Sequence, residues 1–321
     1  MRILFITANR LGDAVLSTGL LGYLADQYPS AKFTVAAGPV SAPLFEAAPG
    51  IERIITMEKQ PYAKHWLSLW KKTIGVPWDL VIDLRRSTIG WLLWAKKRQS
   101  IPSPDPSCHR VRFIGRIAGL EDHPPAPTLW HTNNQIERAQ QIIPVGTQVL
   151  AIAPAANWRG KQWRTENFSN LMKKLIAADG LFPGALVAVI AAENEHDQAD
   201  PLLDDIPTEK RIDLVGTVDL GTLGACLGRC DFFVGNDSGL MHMAAATGIP
   251  TLGLFGPSQE TLYAPWGAHT HWVRTPESFE TLTGSADYDH RTTDTLMDGL
   301  TVNMVLDAAC LFWQEMEKNT A

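Results

Sequence analysis

The run Val234-Gly-Asn-Asp-Ser-Gly-Leu-Met-His-Met-Ala-Ala-Ala-Thr-Gly-Ile-Pro-Thr-Leu-Gly-Leu-Phe-Gly-Pro257 reads as a strand, a turn, a helix and a second strand. The apolar stretch Asp231 to Val234 breaks at a small polar turn, Gly235 to Gly239, and a helix opens near Ser238. Thr251 to Phe255 is the next buried strand, and Phe255-Gly256-Pro257-Ser258 is a second loop at the same sheet edge. A helix that opens straight after a strand presents free backbone N–H groups and the positive end of its dipole, which suits phosphate. Asp237, Ser238 and Gly239 occupy that opening, and His242 lies one turn further on the same face as Ser238. A lone buried histidine is usually structural. Two adjacent strand-end loops with paired glycines favour a ligand site instead.

Working outward, the same alternation recurs in both directions. Ile3 to Ile6, Phe33 to Ala37, Ile54-Ile55 and Leu80 to Ile82 are short apolar strands separated by helical periodicity, as in Val15, Leu16, Leu20, Leu21 and Leu24. After the Pro-rich stretch Pro124 to Pro127 and a polar helix near Asn134 to Ile143, the pattern restarts. Val149 to Ala153, Ala185 to Ala191 and Leu214-Val215 are strands, interleaved with helices over Glu166 to Ala178, from His196, and over Leu220 to Leu227. Strands alternating with helices imply parallel sheets covered on both faces. Doing so twice predicts two doubly wound α/β domains, residues 1–145 and 146–300, followed by an amphipathic helix in 301–321 expected to pack back toward the first domain. Ligands of such sheets bind beyond the carboxyl ends of the strands, so a cleft between the domains is the expected site.

Composition removes other classes. The 321 residues carry a formal charge of −6 and are 45% hydrophobic, which excludes a disordered chain and disfavours a general nucleic-acid binder. The four cysteines, Cys108, Cys226, Cys230 and Cys310, form no CxxC pair and no zinc-type spacing, so no metal is expected. Sparse cysteines, a start lacking signal-peptide features and no apolar run of about 18–20 residues predict a soluble, cytoplasmic protein. The charge is uneven. Between Lys59 and Arg116 there are 12 Lys/Arg against three acids, +9, while the remainder sums to −15. The basic segment also holds Trp66, Trp70, Trp78, Trp91 and Trp94, with the spacings of the first and last pairs each allowing a shared helix face.

Three further loops carry candidate chemistry. In Asn9-Arg10-Leu11-Gly12-Asp13, Asp13 either caps the first helix or accepts a proton from an alcohol. No GxGxxG follows this strand, so a dehydrogenase is disfavoured. Asn157 to Arg164 places Arg159, Lys161 and Arg164 beside Trp158 and Trp163, which suits a nucleotide diphosphate or, alternatively, forms a solvated basic loop. Glu193 and Glu195 follow a strand end, where acids hold ribose hydroxyls or start a helix. Asp287-Tyr288-Asp289 reads as a solvated loop despite its paired carboxylates.

The Gly12-Asp13 loop, the Lys161-Gln162-Trp163 element and the GNDSGLMHMAAATGIP…LFGP run together resemble glycosyltransferase family 9, the lipopolysaccharide heptosyltransferases, in order and spacing over nearly the whole chain. The resemblance implies a GT-B fold, two Rossmann-like domains with the acceptor held by the first and the donor mainly by the second. It implies metal-independent, inverting transfer from an ADP-sugar, typically ADP-heptose, to a lipopolysaccharide inner core, with no cofactor beyond the nucleotide-sugar co-substrate. By the same resemblance Asp13 is the general base and Lys161 neutralises the leaving diphosphate. Glu195, or Glu193 in the alternative register, contacts the ribose. Asp237, Ser238, Gly239 and His242 contact the diphosphate and sugar.

Gly19 stands where the family often has Pro, and Arg164 where Pro usually follows the Lys-x-x-Trp-like element. An anionic, membrane-embedded acceptor gives the basic Trp-rich segment a use, as a peripheral contact with an anionic membrane surface at its cytoplasmic face, or alternatively those Trp are core. Arg85, Arg86, Arg110 and Arg112 are the acceptor candidates. A monomer without nucleic-acid partners is expected. Competing readings are a GT-B nucleotide-sugar epimerase, a non-catalytic sugar-nucleotide binder, and a family member acting on a protein or another glycan.

Overall fold

The computed structural model describes residues 1–103, 105–285, 288–289 and 291–320. It divides into two compact units, Met1–Thr132 and Asn133–Ala321. The first contains β1 (Arg2–Ile6), α1 (Leu11–Gln27), β2 (Lys32–Ala37), β3 (Ile51–Thr56), α2 (Lys64–Thr73), β4 (Trp78–Asp83), β5 (Ala95–Ser100) and α3 (Arg110–Gly115). Its sheet has the order β3-β2-β1-β4-β5 and is parallel throughout, with Ile3 opposite both Phe33 and Leu80.

The second unit contains α4 (Asn133–Ile142), β6 (Val149–Ala153), α5 (Thr165–Leu175), β7 (Leu186–Ala191), α6 (His196–Asp204), β8 (Arg211–Val215) and α7 (Leu220–Leu227). It continues through β9 (Phe232–Asn236), α8 (Gly239–Thr247), β10 (Thr251–Phe255), α9 (Glu260–Tyr263), β11 (Thr270–Arg274), α10 (Phe279–Thr283) and α11 (Val302–Thr320). The parallel sheet runs β11-β10-β9-β6-β7-β8. Every residue of β6, β9 and β10 is buried, which is why these strands read as unbroken apolar runs. Helix α5 buries Phe168, Leu171, Met172 and Leu175, the 3.6-residue stripe of a sheet-covering helix.

The boundary falls before α4 rather than after residue 145. Helix α4 belongs to the second unit because Ala139 and the following Ile143 are fully buried there, Gln135 Nε2 donates to Asp219 Oδ1 (3.1 Å), and Arg229 holds the Ile143 carbonyl. The Pro-rich stretch is not a linker. Thr128 N donates to Thr18 Oγ1 (2.9 Å), and the 125–126 backbone lies on Gly19 of α1. Helix α11 buries Val305, Ala309 and Phe312 in the core of the second unit. Its Trp313 meets Phe182 edge-to-face at 4.9 Å.

Trp91 and Trp94 do not share a helix: Trp91 lies in the short turn Ile89–Leu92, and Trp94 beyond it leads into β5. Strands β5 and β11 escape sequence reading because both are polar edge strands, AKKRQS and THWVR.

Candidate active site

In the second unit the chain winds β6-β7-β8 to one side and β9-β10-β11 to the other, so strand order reverses between β6 and β9. Loops leaving the two strands at such a reversal part and open a crevice at the carboxyl edge. Lys161, in the loop after β6, and Asp237, in the turn after β9, meet there with Nζ 2.5 Å from Oδ2. Asp237 is buried, at 5% exposure. Asn236, the last residue of β9, ties the same loops together. Its Nδ2 donates to Pro154 O (2.7 Å) and its Oδ1 accepts from Trp163 N (3.1 Å).

Ser238 occupies the N-cap position of α8, yet its side chain makes no capping bond. The Ser238 Oγ, and the Ser258 Oγ in the loop after β10, are buried with no hydrogen-bond partner among the described residues. Buried hydroxyls are costly unless a ligand or water completes them. Gly239 opens α8 without a side chain, and His242, 4% exposed, follows on the Ser238 face. Lys161, Asp237, Ser238, Gly239 and His242 thus gather at one sheet edge.

The neighbouring loop departs from expectation. Arg159 Nε donates to Asp294 Oδ1 (2.8 Å), and Arg164 makes paired bonds to Asp298 (2.6 and 2.7 Å). Trp163 is 1% exposed, donates to Leu300 O (2.7 Å) and packs on Phe168. Two of the three cations and one indole therefore fasten the loop to residues 294–300 rather than face a ligand. Thr295 Oγ1 completes the clamp at the Gln162 carbonyl (2.5 Å), and Leu296 N at that of Gly160 (3.0 Å). Segment 294–300 has no periodicity or motif by which sequence could have flagged it. Trp158 sits edge-on to Tyr288 at 6.2 Å. Asp287 lies outside the described residues, and Asp289 Oδ1 accepts from Arg291 N (2.9 Å) within a local turn.

Glu193 and Glu195 form the short helical turn after β7. Glu195 Oε2 accepts from Ala192 N (2.9 Å), so one of its two carboxylate oxygens closes the turn. Glu193 is exposed and packs against Gly216.

In the first unit the reversal lies between β1 and β4. A bond again spans it: Arg85 Nη1, after β4, donates to Asn9 Oδ1, after β1 (3.0 Å). The Arg85 guanidinium lies 4.6 Å from the Trp66 ring, and burial lowers its pKa. Asp83 braces this loop by accepting from Arg85 N and from the N–H and Oγ of Ser87. Burial pushes its carboxyl up, against the pull of those bonds.

Helix α1 begins at Leu11 with Arg10 at the N-cap and no capping side chain. The N-cap role considered for Asp13 therefore fails: it sits within the first turn, near the positive helix end. Its Oδ1 lies 3.7 Å from Arg110 Nε at the start of α3, and the two side chains are 23% and 24% exposed. Arg110 also lies over the Phe113 ring (5.4 Å). Of the four arginines singled out, Arg85 is thus joined to the loop after β1 and Arg110 to the first turn of α1. Arg86 and Arg112 are exposed, Arg86 with a left-handed backbone (φ 52°). Among the described residues, no three His, Cys, Asp or Glu side chains cluster as a metal site would require.

The family described as glycosyltransferase family 9 (heptosyltransferase) matches residues 85–283. The chain is 24% identical over 316 residues to lipopolysaccharide heptosyltransferase 2 of Escherichia coli strain K12, covering 85% of this chain and 88% of that protein. Among solved structures it is similar to E. coli ADP-heptose lps heptosyltransferase II, with a TM-score of 0.75, 21% identity and coverage of 99% and 100%. It is also similar to an E. coli heptosyltransferase solved with ADP-2-deoxy-2-fluoro heptose, with a TM-score of 0.68, 17% identity and coverage of 99% and 100%. With two parallel-sheet units of the GT-B fold and a family match spanning most of its length, the chain belongs to glycosyltransferase family 9 and is a glycosyltransferase.

Proposed function

We propose that the protein transfers a heptose, with inversion and without a metal, from an ADP-sugar to the inner core of a lipopolysaccharide precursor. The first unit holds the acceptor and the second the donor. The observation that carries the donor half is a pair of buried hydroxyls, Ser238 at the N-cap of α8 and Ser258 in the loop after β10, that have no hydrogen-bond partner among the described residues. With Lys161, they supply the donors that a diphosphate needs. The similar enzyme solved with an ADP-heptose analogue supports the choice of nucleotide and sugar.

In the reaction, an acceptor hydroxyl gives its proton to the Asp13 carboxylate while its oxygen bonds to the anomeric carbon. The bond from that carbon to the diphosphate oxygen breaks on the opposite side, and its electron pair leaves with ADP. Asp237 fixes the Lys161 ammonium by one of its three N–H donors, leaving the others for the diphosphate oxygens, where negative charge grows. Glu195 or Glu193 takes the ribose hydroxyls, and Arg85, Arg86, Arg110 and Arg112 face the anionic core sugars. The protein acts as a monomer, peripheral to the cytoplasmic face of the membrane.

The test supplies ADP-heptose or UDP-sugars, with and without deacylated inner-core acceptor, and follows ADP release and product mass. Release of ADP in step with heptosylated acceptor is expected. Free sugar released from donor alone would favour an epimerase or hydrolase. Transfer only to a protein or another glycan would replace the acceptor assignment.

A further inference from the structure

Away from the site, large apolar side chains crowd outward in one short stretch. Trp91, Leu92 and Trp94 are 73%, 61% and 80% exposed, in the crossover from β4 to β5. Single exposed apolar residues are ordinary, but three within four positions form a patch. The stretch is held from beneath. Arg98 of β5 donates to the carbonyls of Gly90 (2.8 Å), Ala95 (2.9 Å) and Leu93 (2.6 Å), and its guanidinium lies 6.0 Å from the Trp91 ring. Trp70 Nε1 donates to Leu92 O (3.3 Å), and Trp78 N to Trp94 O (2.8 Å). Ile89 and Leu93 fill the core below. The backbone is thus satisfied and anchored while both indoles are turned to solvent.

Exposed lysines flank the patch. Lys71 follows Trp70 at the exposed end of α2, and Lys96, 82% exposed, follows Trp94 and pairs with Asp79. We propose that the Trp91–Trp94 crossover, with Lys71 and Lys96, docks the first unit on an anionic phospholipid bilayer. Indoles partition to the level of lipid headgroups, where the ring is apolar and the N–H wet, and lysines are drawn to the negative surface. No helix among the described residues is long and apolar enough to cross a membrane, so the contact is peripheral. Its use rests on the reading that the acceptor is a membrane-held glycolipid.

The experiment sediments the full chain with vesicles of phosphatidylcholine alone, or with about one-third phosphatidylglycerol, lacking donor and acceptor. Binding to the anionic vesicles only, weakened by salt, is expected. Trp91→Ser/Trp94→Ser should lower partitioning about tenfold, and Lys71→Glu about fivefold. Melting temperature and transfer to a water-soluble acceptor should stay at the parental level in both variants. Absence of binding at low salt, or equal binding by the variants, would overturn the proposal. So would loss of self-association in the Trp variant without any change in vesicle binding, which would assign the patch to a second copy of the chain. Failure of the transferase reading shows instead as absent heptosyl transfer, with vesicle binding intact.

Discussion

The Lys161 ammonium and the Asp237 carboxylate meet at 2.5 Å across the point where the second sheet reverses its strand order, and Arg85 and Asn9 repeat that relationship in the first sheet. In each unit the loops after the two strands at the reversal are thereby tied by a polar bond. The ties differ in kind. Lys161 with Asp237 is a half-buried ion pair, whose charges lost water on folding and so depend on each other. Arg85 with Asn9 joins a cation to a neutral amide, which leaves the guanidinium charge for an anion.

Replacing Lys161 by Ala therefore has two separable effects. Transfer should fall about 10²–10³-fold, as when a charge-stabilising donor is removed. Stability should fall by about 1–3 kcal/mol, less than for a fully buried pair because Lys161 is partly exposed. Adding Asp237→Asn should restore the melting temperature and not the rate. If Lys161→Ala kept full turnover, the leaving-group role would be lost.

Asp13→Asn should abolish transfer, a loss of about 10²–10⁴-fold, while thermal stabilisation by ADP remains. Because Arg10 and not Asp13 occupies the N-cap, the substitution should leave the melting temperature nearly unchanged. Arg110→Ala releases the Asp13 carboxylate from its 3.7 Å neighbour and should cost about tenfold or more in kcat through misplacement. Arg110→Lys should recover part of it. A rise in acceptor KM alone would make Arg110 a binding residue only.

The sequence made the central strands and the phosphate-type turn at Gly235–Gly239 visible because both obey local rules: unbroken apolar runs and small residues at a helix opening. What it hid was decided by tertiary pairing. Strand β5 carries Lys96, Lys97 and Arg98 because one edge of it meets water. Arg159 and Arg164 suit either a ligand-facing or a solvated loop by sequence, and it is Asp294 and Asp298, some 130 residues away, that engage them. Glu195 illustrates a third case, where one carboxylate has both the helix-start geometry and the strand-end position.

Gly19 gives a packing test of the first unit. A Cβ at this position would run into the carbonyl oxygens of Pro125 and Ala126, backbone atoms that cannot turn aside. Gly19→Ala should destabilise by about 1–3 kcal/mol, read as a lower denaturation midpoint. Gly22 on the same helix faces the Trp130 ring edge at 3.3 Å and the Thr128 methyl at 3.7 Å, side chains able to yield. Gly22→Ala should be near neutral. Equal effects would show that the 125–130 strap does not bear on α1.

Acid should loosen the loop around Asp105. The Ser107 hydroxyl, then its N–H, then Arg116 hold the Asp105 carboxyl down to about 2 from its ordinary 3.8. A carboxylate lowered on folding stabilises above its unfolded value and loses that contribution as pH falls through the folded one. The melting-temperature gap between parent and Asp105→Asn should thus be present at pH 6 and shrink between about pH 4 and about 2. A gap independent of pH would assign the effect to packing.

The thiols test the core of the second unit directly. Cys226 is fully buried, and burial pushes its thiol up to about 11, while Cys230, 5% exposed, is driven upward by the same cause. Reaction needs the thiolate and access to it, and both residues are denied both near neutrality. Cys108 and Cys310 are only partly covered. A disulfide reagent at pH 8 should therefore label Cys108 and Cys310 in the native protein and reach all four cysteines only after denaturation. Saturating ADP-sugar should slow the late labelling of Cys226 and Cys230, because a ligand that binds only the folded unit suppresses the opening that exposes them. Prompt labelling of Cys226 in the native state would mean that α7 does not close over the core.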